Sequence, residues 1–354
     1  MKFVAMGGGT GLSTLLKGLK KYVRPDRSSD GLVPSLEEFS GAEEPRINEL
    51  SAIVTVSDDG GSSGRLRREF QVLPPGDIRN CLVALSEDEA LLSRLFQFRF
   101  SGGRGLKGHS FGNLFLTALT GVTGDFQEAV KVSSEVLVIR GRIIPSTMAD
   151  IQLEAVLENG RIVQGETQIS RSRHPITRIR LVPPNCRPLP QTLEAIAQAD
   201  VITLGPGSLF TSLLPNLLVR DVTRKIAQSR AAKIYICNLM TQPGETTGFS
   251  ASDHLRTIYE HCRMALFDYV LLDTVPIAPR LQRRYRAQRS CPVKNDIEEL
   301  EKLGVQVVLS EIVSEEGANH SAAKWVRHDP DLLARAVLEI AEKHQSLPAS
   351  KRKT

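Results

Sequence analysis

Residues 1–20 read MKFVAMGGGTGLSTLLKGLK. Phe3, Val4 and Met6 form a short apolar run of the kind that makes a buried strand. Gly7, Gly8, Gly9 and Gly11 follow, and Leu12, Leu15, Leu16 and Leu19 then recur at helical spacing. The stretch predicts strand, glycine turn, helix. Glycines let backbone approach a ligand closely. A helix beginning there aims free N–H groups and a positive dipole end at the turn, which suits a phosphate. Gly8, Gly9, Thr10 and Gly11 are therefore candidate phosphate contacts, with a ligand-free tight turn as the plain alternative. A nicotinamide or flavin fingerprint fits poorly. It needs a small third residue in G-x-G-x-x-G/A, and Leu12 stands there, with Gly11 one place early.

Working outward, strand and helix signals alternate. LSAIVTVS (50–57) is the second strand, and helical stretches are predicted at 76–86, 88–99, 110–121 and 125–134. Residues 151–170 switch to alternation, with Asn159-Gly160 as a hairpin turn. With RIRLV (178–182) they predict a small β-rich excursion over 143–184. Strands at 201–205, 233–237, 269–273 and 305–310 follow, interleaved with helices at 192–199 and 252–263 and after GPGS, and a last amphipathic helix covers 329–344. This order predicts an α/β fold, Rossmann-like, with a mainly parallel sheet covered on both faces. One domain over 1–344 is expected, with a polar, proline-bearing surface insertion at 24–48 and a basic tail at 345–354.

Composition limits the function classes. Hydrophobic residues make up 41% of 354 residues, enough for a large core. The first apolar run is short and glycine-broken, so no secretory signal is predicted, and no stretch is long and apolar enough to span a bilayer. Five scattered cysteines without C-x-x-C spacing predict reduced thiols in a cytoplasmic protein and no zinc site. The net charge of +5 comes with only 5% aromatic residues, so anionic small molecules explain the arginines better than nucleic acid does.

In open parallel sheets, ligands bind beyond the carboxyl ends of the strands. Polar clusters recur at those ends here. SDDGGSSGRLRREF (57–70) offers Asp58, Asp59, Ser62, Ser63 and Arg65. Its paired carboxylates suit a metal ion, a ribose hydroxyl or base catalysis, or else a capped turn. PPGDIRNC (74–81) adds Asp77, which also reads as a helix N-cap, Arg79 and Asn80 at a helix start. GLKGHSFGNLF (105–115) places His109, Ser110 and Asn113 at a helix start. LGPGSLFTSLLPN (204–216) repeats the opening design with Gly205, Gly207 and Ser208, a nest for an anion. Asn238, Thr241 and Gln242 follow another strand. Together these loops predict a deep, polar, phosphate-competent cleft.

GGGTGLS (7–13), TVSDDGGSSGRLR (55–67), PPGDIRN (74–80), GHSFGN (108–113), GPGSLFTSLLPNLL (205–218), NLMTQPGET (238–246), ASDH (251–254) and VRHD (326–329) together resemble the bacterial YvcK proteins, called gluconeogenesis factors, of the CofD-like superfamily. The resemblance covers almost the whole chain, outside 24–48 and the tail. It implies a cytosolic Rossmann-like protein that binds UDP-sugars such as UDP-N-acetylglucosamine and supports cell shape and cell-wall precursor flux on gluconeogenic carbon sources. It leaves room for a homo-oligomer. The more distant CofD branch implies a transferase reading. A phospholactyl group would leave a nucleoside diphosphate with help from Mg2+, and Asp58 or Asp59 would hold the metal or take part in catalysis. The family pattern also implies a glycine at position 263, where this chain has arginine.

Overall fold

The computed structural model describes residues 1–25, 44–87, 91–313 and 325–348. Most of the 24–48 insertion and most of the basic tail lie outside them. The insertion's flanks are described and lie side by side, because Arg24 N–H donates to the Ile47 carbonyl and Arg46 N–H to that of Tyr22.

Among the described residues, ten strands form two sheets. β1 (Lys2–Gly7), β2 (Glu49–Val54), β3 (Arg142–Pro145), β7 (Val201–Leu204), β8 (Ala232–Ile236), β9 (Tyr269–Asp273) and β10 (Gln306–Ser310) make the large one. Its order is β10-β9-β8-β7-β1-β2-β3, and every pairing is parallel. From β1 the chain winds outward through β2 and β3, then returns to add β7 to β10 on the other side. The change of direction falls between β1 and β7. At such a point the loops leaving two neighbouring strands diverge and open a crevice.

Both faces of this sheet are covered. Phe3 and Ala5 of β1 point into one core with Leu12, Leu15 and Leu16 of the first helix (Gly9–Leu19) and the final helix (Pro330–Ser346). Val4 and Met6 point into the opposite core. The strand period of two thus explains why these strands read as continuous apolar runs. The first helix packs so closely on the last that a Cβ at Gly18 would fall 1.9 Å from the Pro330 carbonyl oxygen.

β4 (Gln152–Leu157), β5 (Ile162–Gln164) and β6 (Ile176–Val182) form the small antiparallel sheet in the order β5-β4-β6. Leu153, Ala155, Ile179 and Leu181 join the second core, so this sheet packs on the large one. The predicted excursion began at 143, but 143–145 belong to β3 at the edge of the large sheet. The alternation predicted over 151–170 also stops early. Gly165, at φ 87, breaks it, and Glu166–Ser170 turn into a short helix. Arg263 adopts φ 56 at the end of the helix Ala251–Cys262, the left-handed conformation that favours glycine.

Candidate functional site

The loops after β1 and β7 meet backbone to backbone. A Cβ on Gly11 would stand 2.2 Å from the Pro206 carbonyl oxygen and 3.1 Å from the Gly207 nitrogen. Asn216 fastens the junction from below, donating to the carbonyl of Gly7 at 3.0 Å. Asn238, just beyond β8, accepts from Gly207 N–H at 3.1 Å and donates to its carbonyl at 2.7 Å. Gly8, Gly9, Gly11, Gly205, Gly207 and Asn238 are therefore neighbours. Thr10 is exposed beside them, its carbonyl accepting from Ser13 and Thr14.

The first helix has no side-chain cap of its own. Its leading N–H groups look instead towards Asp77, whose negative charge the Gly9 backbone N–H favours. Asp77 was expected as the N-cap of its own helix, but Pro75 holds that place, and Asp77 sits in the first turn of Gly76–Leu85. A Cβ on Gly8 would fall 2.5 Å from Thr55 Cγ2 and 2.7 Å from Asp77 Oδ2.

Three further helix starts converge on the same region. Ser62 and Ser63 open the helix Gly61–Phe70, and Ser110 caps Phe111–Thr123. His109 Nδ1 and Ser62 Oγ are 2.9 Å apart, and Asn113 Nδ2 donates to Ser63 Oγ at 3.4 Å. A Cβ on Gly76 would lie 2.5 Å from Ser63 Oγ and 2.7 Å from Asp58 Oδ2. Burial and the nearby Arg65 charge lower the His109 pKa, which favours the neutral ring. Arg79, a candidate from its place at a helix start, donates to Ser110 Oγ and to Asn80 Oδ1, each at 2.6 Å. Arg65 instead donates outward to the Lys107 carbonyl.

The short helix after β5 supplies a group not predicted from sequence. Asp59 accepts from both the N–H and the hydroxyl of Thr167, at 2.8 and 2.6 Å. That clamp carries Glu166 to the site, where it accepts from Ser57 Oγ at 3.5 Å. Glu245 ties in the other end of the segment, accepting from Ser170 at 2.8 Å and from Ser208. Thr241 stands apart, bound to Cys291 through its backbone N–H and its hydroxyl. Gln242 turns back on Thr246, with its Oε1 buried and unpartnered.

Carboxylates therefore crowd one volume. Burial, then repulsion from Asp58, pushes Asp77 up to about 7. Burial, then Asp58, Asp77, Glu245 and Asp59, pushes Glu166 up to about 9. Near neutral pH, Glu166 is protonated and Asp77 lies at its midpoint. Among the described residues no three His, Cys, Asp or Glu are grouped to hold a metal ion. Mg2+, however, takes one or two carboxylates and completes its shell with phosphate and water. A donor set of mutually repelling carboxylates beside glycine loops fits a cation that arrives with a diphosphate, rather than a closed protein cage.

Comparisons with known proteins agree with this architecture. The family model for 2-phospho-L-lactate transferase CofD matches residues 3–313. A Nostoc sp. protein that also carries the gluconeogenesis-factor name is 48% identical over 339 residues, 96% of this chain and 68% of its own. The gluconeogenesis factor of Bacillus subtilis (strain 168) is 42% identical over 339 residues, 96% of this chain and 98% of its own. The crystal structure of protein BH3568 from Bacillus halodurans superposes with a TM-score of 0.85 at 44% identity, covering 95% of this chain and 99% of that one. A second crystal structure of that protein, described as a member of the UPF0052 family, gives 0.83. The chain belongs to the YvcK/UPF0052 gluconeogenesis factor family of the CofD-like superfamily.

Proposed function

We propose that this protein is a cytoplasmic nucleotide-sugar sensor. It would hold a UDP-sugar such as UDP-N-acetylglucosamine in the crevice of a Rossmann-like sheet and act through occupancy rather than turnover. The reading rests above all on the abutment of Gly11 against Pro206–Gly207 at the β1/β7 divergence. Two glycine loops from sequence-distant strands meet there, each leading into a helix start, an arrangement that suits a diphosphate. The diphosphate is the part gripped by backbone N–H groups, so most affinity should come from it. Charge-assisted hydrogen bonds are worth about 1.5–3 kcal/mol each. UDP-N-acetylglucosamine should therefore bind several powers of ten more tightly than N-acetylglucosamine. Calorimetry on the purified protein tests this, and equal affinities would overturn it.

The carboxylate cluster favours a second reading, a phosphoryl-type transferase. Asp58, with Asp77 beside it, would hold Mg2+ on the diphosphate, and Mg2+ would supply charge neutralisation to the leaving group. Arg79 would balance the remaining negative charge. Release of UDP or UMP from a UDP-sugar by the pure protein would decide for this reading.

A further inference from the structure

A cavity of about 450 Å3 opens at the carboxyl ends of β8, β9 and β10, to one side of the glycine loops. Its size falls within the range of about 300–1,000 Å3 usual for small-molecule sites. Asn238 belongs to its wall and is also the residue doubly hydrogen-bonded to Gly207. One side chain therefore separates this cavity from the anion-binding loop.

One part of the wall is aliphatic and proline, with Leu239, Val275, Pro276, Ile277, Pro292 and Val293, and the rest carries Asn238, Asp273, Thr274, Gln282 and Asn295. A hexose turned into the aliphatic part would bury hydroxyls without partners, which is costly. A flat heterocycle would bury its faces there and present only its edge. Two amides are placed for an edge. Asn295 Nδ2 donates to the Asp273 carbonyl at 2.9 Å, and Gln282 Nε2 to the Ile277 carbonyl at 2.8 Å. With their nitrogens bonded to backbone, both amides keep an oxygen that can accept from a ring N–H. Uracil carries such an N–H and cytosine does not.

We infer that this cavity receives the nucleobase of the bound nucleotide, and that it selects a base with a ring N–H. The sugar then lies on the other side of the glycine loops, near Asp58, Asp77 and Glu166, where carboxylates can accept from its hydroxyls. This rests on the nucleotide reading above and adds to it the direction in which the ligand lies.

Two variants test the orientation by calorimetry, each checked for an unchanged thermal melt. Val275→Trp fills the cavity mouth from a partly exposed position. It should weaken UDP and UDP-N-acetylglucosamine by the same factor, at least about thirtyfold. Asn295→Ala, at an exposed residue, should weaken UDP by about tenfold, one lost hydrogen bond, and leave CDP unchanged. Loss of UDP-N-acetylglucosamine binding with UDP unaffected would place the sugar in the cavity and overturn the inference. Wild-type affinity for UDP in both variants would overturn it too, while leaving nucleotide binding itself standing. Failure of the wild-type protein to bind either nucleotide would remove both readings.

Discussion

The carboxyl group of Asp77 faces the backbone of Gly8 and Gly9 at the head of the first helix, so close that a Cβ on Gly8 would stand 2.7 Å from its Oδ2. On the proposed reading this group lies beside the phosphate, and it is half-ionised near pH 7. The folded-state pKa is raised, so folded protein keeps a proton that unfolded protein releases between its ordinary 3.8 and about 7. This group therefore costs stability as pH rises through that window, and the cost is constant above it. Asp77→Asn keeps the acceptor and removes the charge. Its stability gain over wild type should grow from pH 5 to pH 8, by about 2.5 kcal/mol. Urea melts at both pH values check this, and a gain independent of pH would contradict it.

The same relationship predicts a pH effect on binding. The diphosphate of UDP-N-acetylglucosamine keeps its charge between pH 6 and 8, whereas Asp77 ionises in that range. Without divalent cations, affinity in wild type should fall as pH rises. In Asp77→Asn the slope should flatten. Calorimetry at three pH values reads this directly, and parallel slopes in the two proteins would count against it.

Much of this site could be read from sequence. The glycine loops, Asp58 and Asn238 stand directly after strands, so the position of a strand end locates them. Glu166 could not be found that way. It comes from the short helix after β5, and the Asp59–Thr167 clamp helps to bring it across. Arg79 is legible from its place at a helix start, but its partner Ser110, thirty-one residues away, is not. Thr241 shows the opposite error, since its strand-end position resembles a site while its bonds go to Cys291. β3 was assigned to the excursion because four residues cannot reveal which sheet they join. Arg263 shows that a backbone requirement persists when the residue changes, since it holds φ 56 without being glycine.

Gly11→Ala should open the junction between the two glycine loops. Its new Cβ would stand 2.2 Å from the Pro206 oxygen, and backbone on both sides resists the shift. A loss of about 1–3 kcal/mol or more is expected, together with loss of nucleotide binding. Gly121→Ala is the control. It lies in a helix with nothing within 4 Å of the new methyl, and should gain about 0.4–1 kcal/mol. Thermal melts compare the two; equal effects would show that the close approach carries no constraint.

The Asp59 clamp predicts a local effect. Asp59→Ala removes the acceptor for both Thr167 bonds and should cost about 2 kcal/mol. Thr167→Val removes only the hydroxyl bond and should cost about half of that. Hydrogen exchange should quicken at 165–170 in both variants, while the β4–β6 pairing keeps its protection. Unchanged exchange in that segment would show that Glu166 is positioned by something other than this clamp.

Asp58→Asn separates the two roles open to the residue at the end of β2. Asp58 Oδ1 accepts from Gly60 N–H at 2.8 Å, and asparagine preserves that bond. What it removes is the charge that pushes up both Asp77 and Glu166. If Asp58 holds a cation on the diphosphate, Mg2+ should tighten UDP-N-acetylglucosamine binding in wild type and leave the variant unaffected. Without Mg2+ the variant should bind as well as wild type or slightly better, because one negative charge has left the anion site. If Asp58 instead accepts from a ligand hydroxyl, affinity should fall by about 1–3 kcal/mol whether or not Mg2+ is present. The repulsion recorded at Asp77 and Glu166 favours the first outcome. A site of carboxylates that raise one another's pKa values gains most from a cation delivered with its ligand. The same relief requires no bond to break, so a Mg2+-dependent gain in affinity without release of UDP or UMP is the expected result. Nucleotide release that disappears in Asp58→Asn would convert the sensor into an enzyme.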